Sequence, residues 1–415
     1  MRIAPLLLAL VAWNISGAQD LVITNARIID GTGQVLERAS LFVRSGRIES
    51  LGEDTPGNMD ATVIDAQGMT VMPGMINTHW HLLVGSPATN DEEAEDFVTD
   101  VVAGELQALA QRGVTTIMSF GDHFPQIISV RQRVRSGELP GPRLLVVGPV
   151  LTSPNDWPTQ ICSDNVFCRD NLNVELTSPD EARQKVRELA EAKVDAIKLV
   201  YDDSIAPGVR IDDEIVEAIA NESRANGLTL HVHISTNDET ALQVAKLGAG
   251  ALVHPVSLRT PENEETARIL RELRIPVSTT ISGMTRDWFE MTGREYPDDV
   301  ALQFERRLED IKHLWDEGVV VAFGTDTVAG PGYLADEQFL AEARGLNEVL
   351  SNQDVLATLT RNAAEYLGLG DDLGTLERGK IADIIFIDGD PLTDIADLMK
   401  VQVVIQGGQV TVDRR

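Results

Sequence analysis

Val71-Met72-Pro73-Gly74-Met75-Ile76-Asn77-Thr78-His79-Trp80-His81 is an apolar run that closes on two histidines one residue apart. A short apolar run punctuated by Pro and Gly predicts a buried strand. Side chains alternate between the two faces of a strand, so His79 and His81 share one face and Trp80 takes the other. By itself the pair does not separate metal ligands from core histidines whose nitrogens are satisfied.

Outward from this stretch, similar runs return at residues 114–120, 143–151, 195–201, 228–234, 251–256, 275–281 and 319–324, with amphipathic segments between most of them. Ser178-Pro179-Asp180-Glu181 marks one helix start: an N-cap serine, proline in the first turn and glutamate at the third position. That helix is predicted to run to about Lys193. Strands alternating with helices predict an α/β protein with a parallel sheet. Their number and total length, roughly 290 residues, fit a closed (β/α)8 TIM-type barrel better than an open doubly wound sheet. No GxGxxG dinucleotide fingerprint follows any of the runs.

Both ends of the chain have another texture. Residues 21–72 and 374–415 read as short strands with turns, among them Asp30-Gly31-Thr32-Gly33 and Gly407-Gly408. We expect a small β-sandwich domain built from both ends, residues 19–72 and 367–415, flanking a barrel of residues 73–366. Residues 1–18 have the layout of a secretory signal peptide: Arg2, an apolar run from Ile3 to Trp13, and Ser16-Gly17-Ala18 before a cut near Ala18. An exported protein, periplasmic or secreted, is expected, with no membrane insertion after cleavage. Its two cysteines, Cys162 and Cys168, then have an oxidising compartment in which to form a disulfide.

The formal charge of −30 repels phosphate backbones and anionic membrane surfaces, so nucleic acid is not an expected partner. The partner expected instead is a small-molecule substrate. A homo-oligomer stays open.

The chemistry gathers at the C-terminal ends of the predicted strands, the face on which barrel enzymes keep their active sites. Beyond His79 and His81, the fifth run ends in Leu230-His231-Val232-His233, the sixth contains Val253-His254-Pro255, and the eighth is followed by Thr325-Asp326-Thr327. The fourth run holds Lys198 between Ile197 and Leu199, where a bare charge is expensive to bury. Imidazoles and carboxylates suit Zn²⁺ and similar divalent ions. A carboxylated lysine, an anionic carbamate formed with CO2, would also serve. An uncarboxylated Lys198 in a salt bridge is the alternative, and would leave a site for one metal.

These motifs, with Leu373-Gly374-Thr375-Leu376-Glu377-Arg378-Gly379-Lys380-Ile381-Ala382-Asp383 on the return into the β domain, resemble the amidohydrolase superfamily over nearly the whole mature chain. The strand motifs look most like the branch of imidazolonepropionases and prolidase-like dipeptidases. The resemblance implies that His79, His81 and Asp326 bind one metal and His231 and His254 a second, with carboxylated Lys198 bridging them; zinc is the default metal. It implies a hydroxide shared by the metals, since binding lowers a water's pKa from ~15.7 to about 7. Asp326 would then pass the proton to the leaving amine as general base and acid.

Spacing in the family favours His231 over His233 as the ligand, leaving His233 as a catalytic or substrate contact. The acidic residue that deaminases of the superfamily carry two positions after the fifth-strand histidine is here His233. His123, in Phe120-Gly121-Asp122-His123, either stabilises an oxyanion or is a solvated loop residue. Tyr201, Arg286 and Trp157 are candidate substrate contacts, and His313 reads as structural. The long loop at 152–177, with Trp157, Phe167 and both cysteines, is expected to shape the pocket as a lid.

The activity this predicts is metal-dependent hydrolysis of an amide or peptide-like C–N bond in a small substrate: a dipeptide, an N-acyl amino acid or a cyclic amide. A lactonase or esterase on the same site, a mononuclear deaminase and a non-catalytic binding homologue are the rival readings.

Overall fold

The computed structural model describes residues 20–52, 61–204, 208–234, 237–256, 263–330 and 335–415. The expected signal peptide, residues 1–18, lies outside the described residues. Two parallel sheets form the centre of the molecule. In one, Met75–His81 pairs with Val114–Ser119, which pairs with Arg143–Val146, and its other edge carries Thr327–Val328. In the other, Val150–Thr152, Ala196–Tyr201, Thr229–Ile234, Ala251–Leu252, Val277–Ser278 and Val321–Ala322 follow one another in chain order, with Asn173–Glu175 at the edge beside Val150–Thr152. Parallel strands joined through helices fit a TIM-type fold.

Two of the expected strands are broken. The run 143–151 divides at Gly148, whose φ of 77° turns the chain, and its halves fall in different sheets. The run 319–324 holds the short strand Val321–Ala322, and past Gly324-Thr325-Asp326 a further strand, Thr327–Val328, joins the other sheet. A Cβ on Gly324 would lie 2.3 Å from Ser278 Oγ and 2.9 Å from Thr78 Oγ1, so the close approach of three strands needs glycine there. The run 71–78 is also two strands. Thr70–Pro73 belongs to the sheet of the chain ends and Met75–His81 to the parallel sheet. At the step between them, a Cβ on Gly74 would lie 2.3 Å from Thr115 Oγ1.

The expected capped helix runs Pro179–Glu191, two residues shorter than predicted. Ser178 Oγ accepts the N–H of Glu181, and the Glu181 carboxylate accepts the N–H of Thr177 at 2.9 Å and its hydroxyl at 2.7 Å. The helix buries Ala182, Val186 and Leu189, one stripe at helical spacing.

Strands from both chain ends form a single eight-stranded sheet. Thr70–Pro73 sits between Leu21–Ile29, parallel to it, and Ile384–Ile387, antiparallel to it. Leu21, Ile23, Leu41, Ile64, Phe386 and Ile405 share one apolar cluster on this sheet. A buried ion pair ties it to the parallel sheets: Arg143 donates to Asp383 at 2.5 Å, and Asp383 also accepts the N–H of Gly407 at 2.7 Å. Among the described residues, no helix is long and apolar enough to cross a membrane.

Candidate active site

Alternation in Met75–His81 places Trp80 in the apolar layer against the helices, fully buried, and leaves His79 and His81 facing the other way. There they meet Asp326. His79 Nε2, His81 Nε2 and Asp326 Oδ1 lie 3.1 Å from one another in all three pairings. His81 Nδ1 lies 3.1 Å from the carbonyl of Gly121, so in the neutral tautomer that donates there Nε2 turns a lone pair toward the other two atoms. Lone pairs converging at that range repel unless a cation or a proton sits among them. Donors about 2.0–2.1 Å from one ion are separated by about 2.9–3.4 Å, so this triangle fits a divalent metal.

The charges are tuned accordingly. Burial lowers the His79 imidazole to about 4, against the pull of Asp326. Burial works the same way on His81, but the bond to Asp326 outweighs it and raises that imidazole. Burial would push the Asp326 carboxyl up, yet His79 and His81 hold it well below the usual carboxylate range. Asp326 is nevertheless reachable, with 40% of its side-chain surface open, and its backbone is left-handed at φ 56°. Strain of that kind at a non-glycine residue persists where the surroundings impose it.

Phe120 lies between this trio and the remaining candidates. Its ring stacks on His79 at 4.7 Å, meets the edge of His231 at 5.2 Å and lies 5.1 Å below Lys198 Nζ. Lys198 and His231 are register partners on adjacent strands, which puts them side by side. Lys198 is 4% exposed, and burial lowers its pKa to about 7. A large share of neutral amine follows, the form that reacts with CO2. Burial, reinforced by Lys198, lowers His231 to about 3, and its Nδ1 is buried without a hydrogen-bond partner. The His254 ring lies 5.4 Å from His79, and burial holds it well below its ordinary value. Neutral imidazoles are the metal-binding form.

His233 lies against His254 with ring centres 4.5 Å apart, but its Nε2 donates to Asp202 at 3.1 Å. His231 and His233 therefore differ in kind: one is a buried ring with an unengaged nitrogen, the other is engaged with a carboxylate.

Not every sequence candidate joins the cluster. The Tyr201 hydroxyl donates to Asp213, on the helix Asp213–Ala225, at 2.7 Å, so it packs in the layer between strand and helix. Arg286 stacks on Tyr296 at 4.8 Å in a cleft with Glu305, Arg344 and Glu348. Among the described residues lining that cleft, none is a candidate metal ligand. His123 is fully buried, contrary to the solvated alternative, with both nitrogens unpartnered and its ring edge-on to Phe167 at 5.7 Å. His313 lies in the helix Asp298–Asp316. The Trp157 side chain lies outside the described residues. Cys162 and Cys168 are joined in a disulfide, packed with Leu172 against Val84 in the loop that follows His81.

Several supporting residues carry no sequence motif. Asp122 accepts the backbone N–H groups of Leu82, Leu83 and Val84 at 2.8, 2.6 and 2.9 Å, and also the Ser119 hydroxyl. It fixes the chain as it leaves His81. Asn77 Oδ1 accepts the N–H groups of His79 and Thr325, while its amide donates to Thr325 Oγ1 at 2.9 Å. The first and last strands are thereby clamped beneath the trio. Asp122 was in view beside His123, but a single aspartate in a loop has no spacing to distinguish it.

Parallel sheets whose strand ends gather histidines and an aspartate at ligand distance define a metal-binding α/β enzyme. Residues 70–411 match the model of the amidohydrolase family, and the chain belongs to that family. It is accordingly a hydrolase acting on carbon–nitrogen bonds. An imidazolonepropionase of Thermoanaerobacter pseudethanolicus is 21% identical over 383 residues, covering 85% of this chain and 84% of that protein. A 5'-deoxyadenosine deaminase of Methanosarcina acetivorans is 24% identical over 407 residues, covering 89% and 84%. Among solved structures, a Xaa-Pro dipeptidase with bound methionine superposes with a TM-score of 0.77 at 22% identity, covering 95% of this chain and all 100% of that one.

Proposed function

We propose that the protein hydrolyses an amide or peptide-like C–N bond of a small substrate, a dipeptide, an N-acyl amino acid or a cyclic amide, on a two-metal site. The observation that carries this reading is the convergence of His79, His81 and Asp326 at 3.1 Å, with Lys198, His231 and His254 around Phe120 and His79. In this reading His79, His81 and Asp326 hold one divalent ion, zinc by default. His231 and His254 hold the other, and Lys198, carboxylated, joins them. The ions would supply an activated water and a polarised carbonyl. Asp326, open to the site, takes the proton at a carboxylate oxygen and returns it to the leaving nitrogen. His233, held by Asp202, orients substrate beside His254, and buried His123 is a candidate donor to the developing oxyanion.

The pairing of Thr327–Val328 with Met75–His81 supports a closed (β/α)8 barrel beneath the site. The sheet and apolar cluster shared by strands of both ends support one small β domain beside it, which we read as the expected sandwich. Export is supported by the layout of residues 1–18 and by the disulfide, a bond of oxidising compartments.

A second reading, mononuclear deamination, is favoured by the trio alone, because His79, His81 and Asp326 can hold one ion unaided. Elemental analysis of wild type and Lys198→Ala, purified without chelator, separates the two. Near two ions per chain, falling in the variant, supports the bridged site. One ion, unchanged in the variant, sinks it and leaves deamination.

A further inference from the structure

Glu342, on the helix Ala335–Asn347, is fully buried. A carboxylate so placed is costly unless its oxygens are bonded. One oxygen takes the Thr279 hydroxyl; the other takes the N–H groups of Ile281 at 2.8 Å and Ser282 at 2.5 Å. All three donors belong to the turn that follows the strand Val277–Ser278, so one side chain holds the whole turn to the helix.

That turn is sharply bent. Thr280 has φ 44°, a left-handed backbone that a β-branched residue adopts only under constraint. The bend brings Thr280 Oγ1 to 2.7 Å from His254 Nδ1 and its N–H to 2.9 Å from the Gly324 carbonyl. Two residues on, Ser282 Oγ donates to the Thr325 carbonyl at 2.6 Å, and the peptide that carbonyl belongs to leads directly into Asp326. A single anchor therefore reaches two functional groups by separate arms. The Thr280 arm sets the rotation of the His254 ring by engaging Nδ1, which turns Nε2 away from the contact. The Ser282 arm sets the strained backbone from which the Asp326 carboxylate departs.

We propose that Glu342 is a positioning residue for the metal site, locking the Thr279–Ser282 turn so that Thr280 fixes His254 and Ser282 fixes Asp326. The inference rests on the reading of His254 and Asp326 as metal ligands. A buried carboxyl group held by three donors can be kept for geometry rather than for stability. Partners that orient a metal-binding histidine typically change metal affinity by about 10- to 100-fold when removed.

The test is titration of Zn²⁺ into the chelator-stripped full chain, for wild type, Glu342→Leu, Glu342→Gln, Thr280→Val and Thr280→Ser, with thermal melts to confirm folding. Thr280→Val keeps the shape and deletes only the hydroxyl. The expected result is weaker binding of the second ion by about 10- to 100-fold in Glu342→Leu and in Thr280→Val. Near-wild-type affinity is expected in Thr280→Ser, which keeps the hydroxyl, and in Glu342→Gln, whose amide oxygen takes the two N–H groups while its NH2 donates to Thr279 Oγ1; a merely structural contact would not give this pattern. Wild-type affinity in a folded Glu342→Leu overturns the proposal. If that variant does not fold, wild-type affinity in Thr280→Val overturns it. Fewer than two ions in the wild type itself overturns the two-metal reading first, and the His254 arm with it.

Discussion

Asp202 Oδ2 lies 3.1 Å from His233 Nε2, and because an ionised carboxylate only accepts, the imidazole proton is on Nε2. The residue just past the strand Ala196–Tyr201 and one on the neighbouring strand Thr229–Ile234 thus make a buried acid–imidazole pair beside His254, and Asp202 itself is 3% exposed.

This pair gives the first prediction. Burial lowers the His233 imidazole and the bond to Asp202 opposes that fall. Asp202→Asn removes the charge and keeps the shape, so His233 is expected to titrate lower still in NMR of the metal-free protein. An unchanged His233 titration would remove Asp202 from any role in tuning it.

Glu342 should leave a signature in stability against pH. Burial raises its carboxyl from 4.5 to about 8 in the fold. Between those values the native state holds a proton that the unfolded chain releases, so this group's contribution falls as pH rises. The loss is complete once the pH passes the folded value. Glu342→Gln cannot ionise, and the Tm of wild type relative to this variant should therefore drop between pH 5 and pH 8. Parallel melting curves of the two metal-free proteins check this; a constant gap, or one that widens in favour of wild type, contradicts it.

The Arg143–Asp383 pair carries a prediction about the joint between the parallel sheets and the sheet of the chain ends. Both residues are 5% exposed, so removing one partner strands a buried charge. Asp383→Ala should destabilise the protein by about 3–5 kcal/mol in urea unfolding. A change under about 1 kcal/mol would mean that the pair is compensated by water or by Thr116, which also accepts from Arg143 at 2.9 Å.

The disulfide closes a short loop, with its cysteines six apart in sequence. Loop-closure entropy for such a ring is worth about 2 kcal/mol. Replacing both cysteines with serine should cost roughly that in stability. Because the bond packs on Val84, in the loop after His81, the double variant should also change kcat/KM or substrate range. Kinetics identical to wild type across an amide and dipeptide panel would end the reading of residues 152–177 as a lid.

How much of this was legible in the chain can be argued residue by residue. The strand runs were visible because buried parallel strands are continuous apolar stretches, but their interruptions were not. Gly148 and Gly74 look like any glycine until the neighbouring strands are in place. Tyr201 shows the limit of counting alternation: its parity set it opposite Lys198, and only the helix Asp213–Ala225 supplied the Asp213 that takes its hydroxyl. Arg286 follows a strand, as a substrate contact should, yet the chain turns it into a cleft with Tyr296.

The sequence by itself determined which candidate ligands there are and their order along the chain, because metal chemistry favours imidazole and carboxylate, and strand periodicity fixes which side of the backbone they take. Tertiary structure alone decided what holds them. Glu342 reaches Thr279 across 63 positions, and Asp202 reaches His233 across 31. The physical reason is that a supporting contact needs only a hydrogen-bonding group at the right point in space. Many residues can supply that group from anywhere in the chain, so no local pattern marks the one that does.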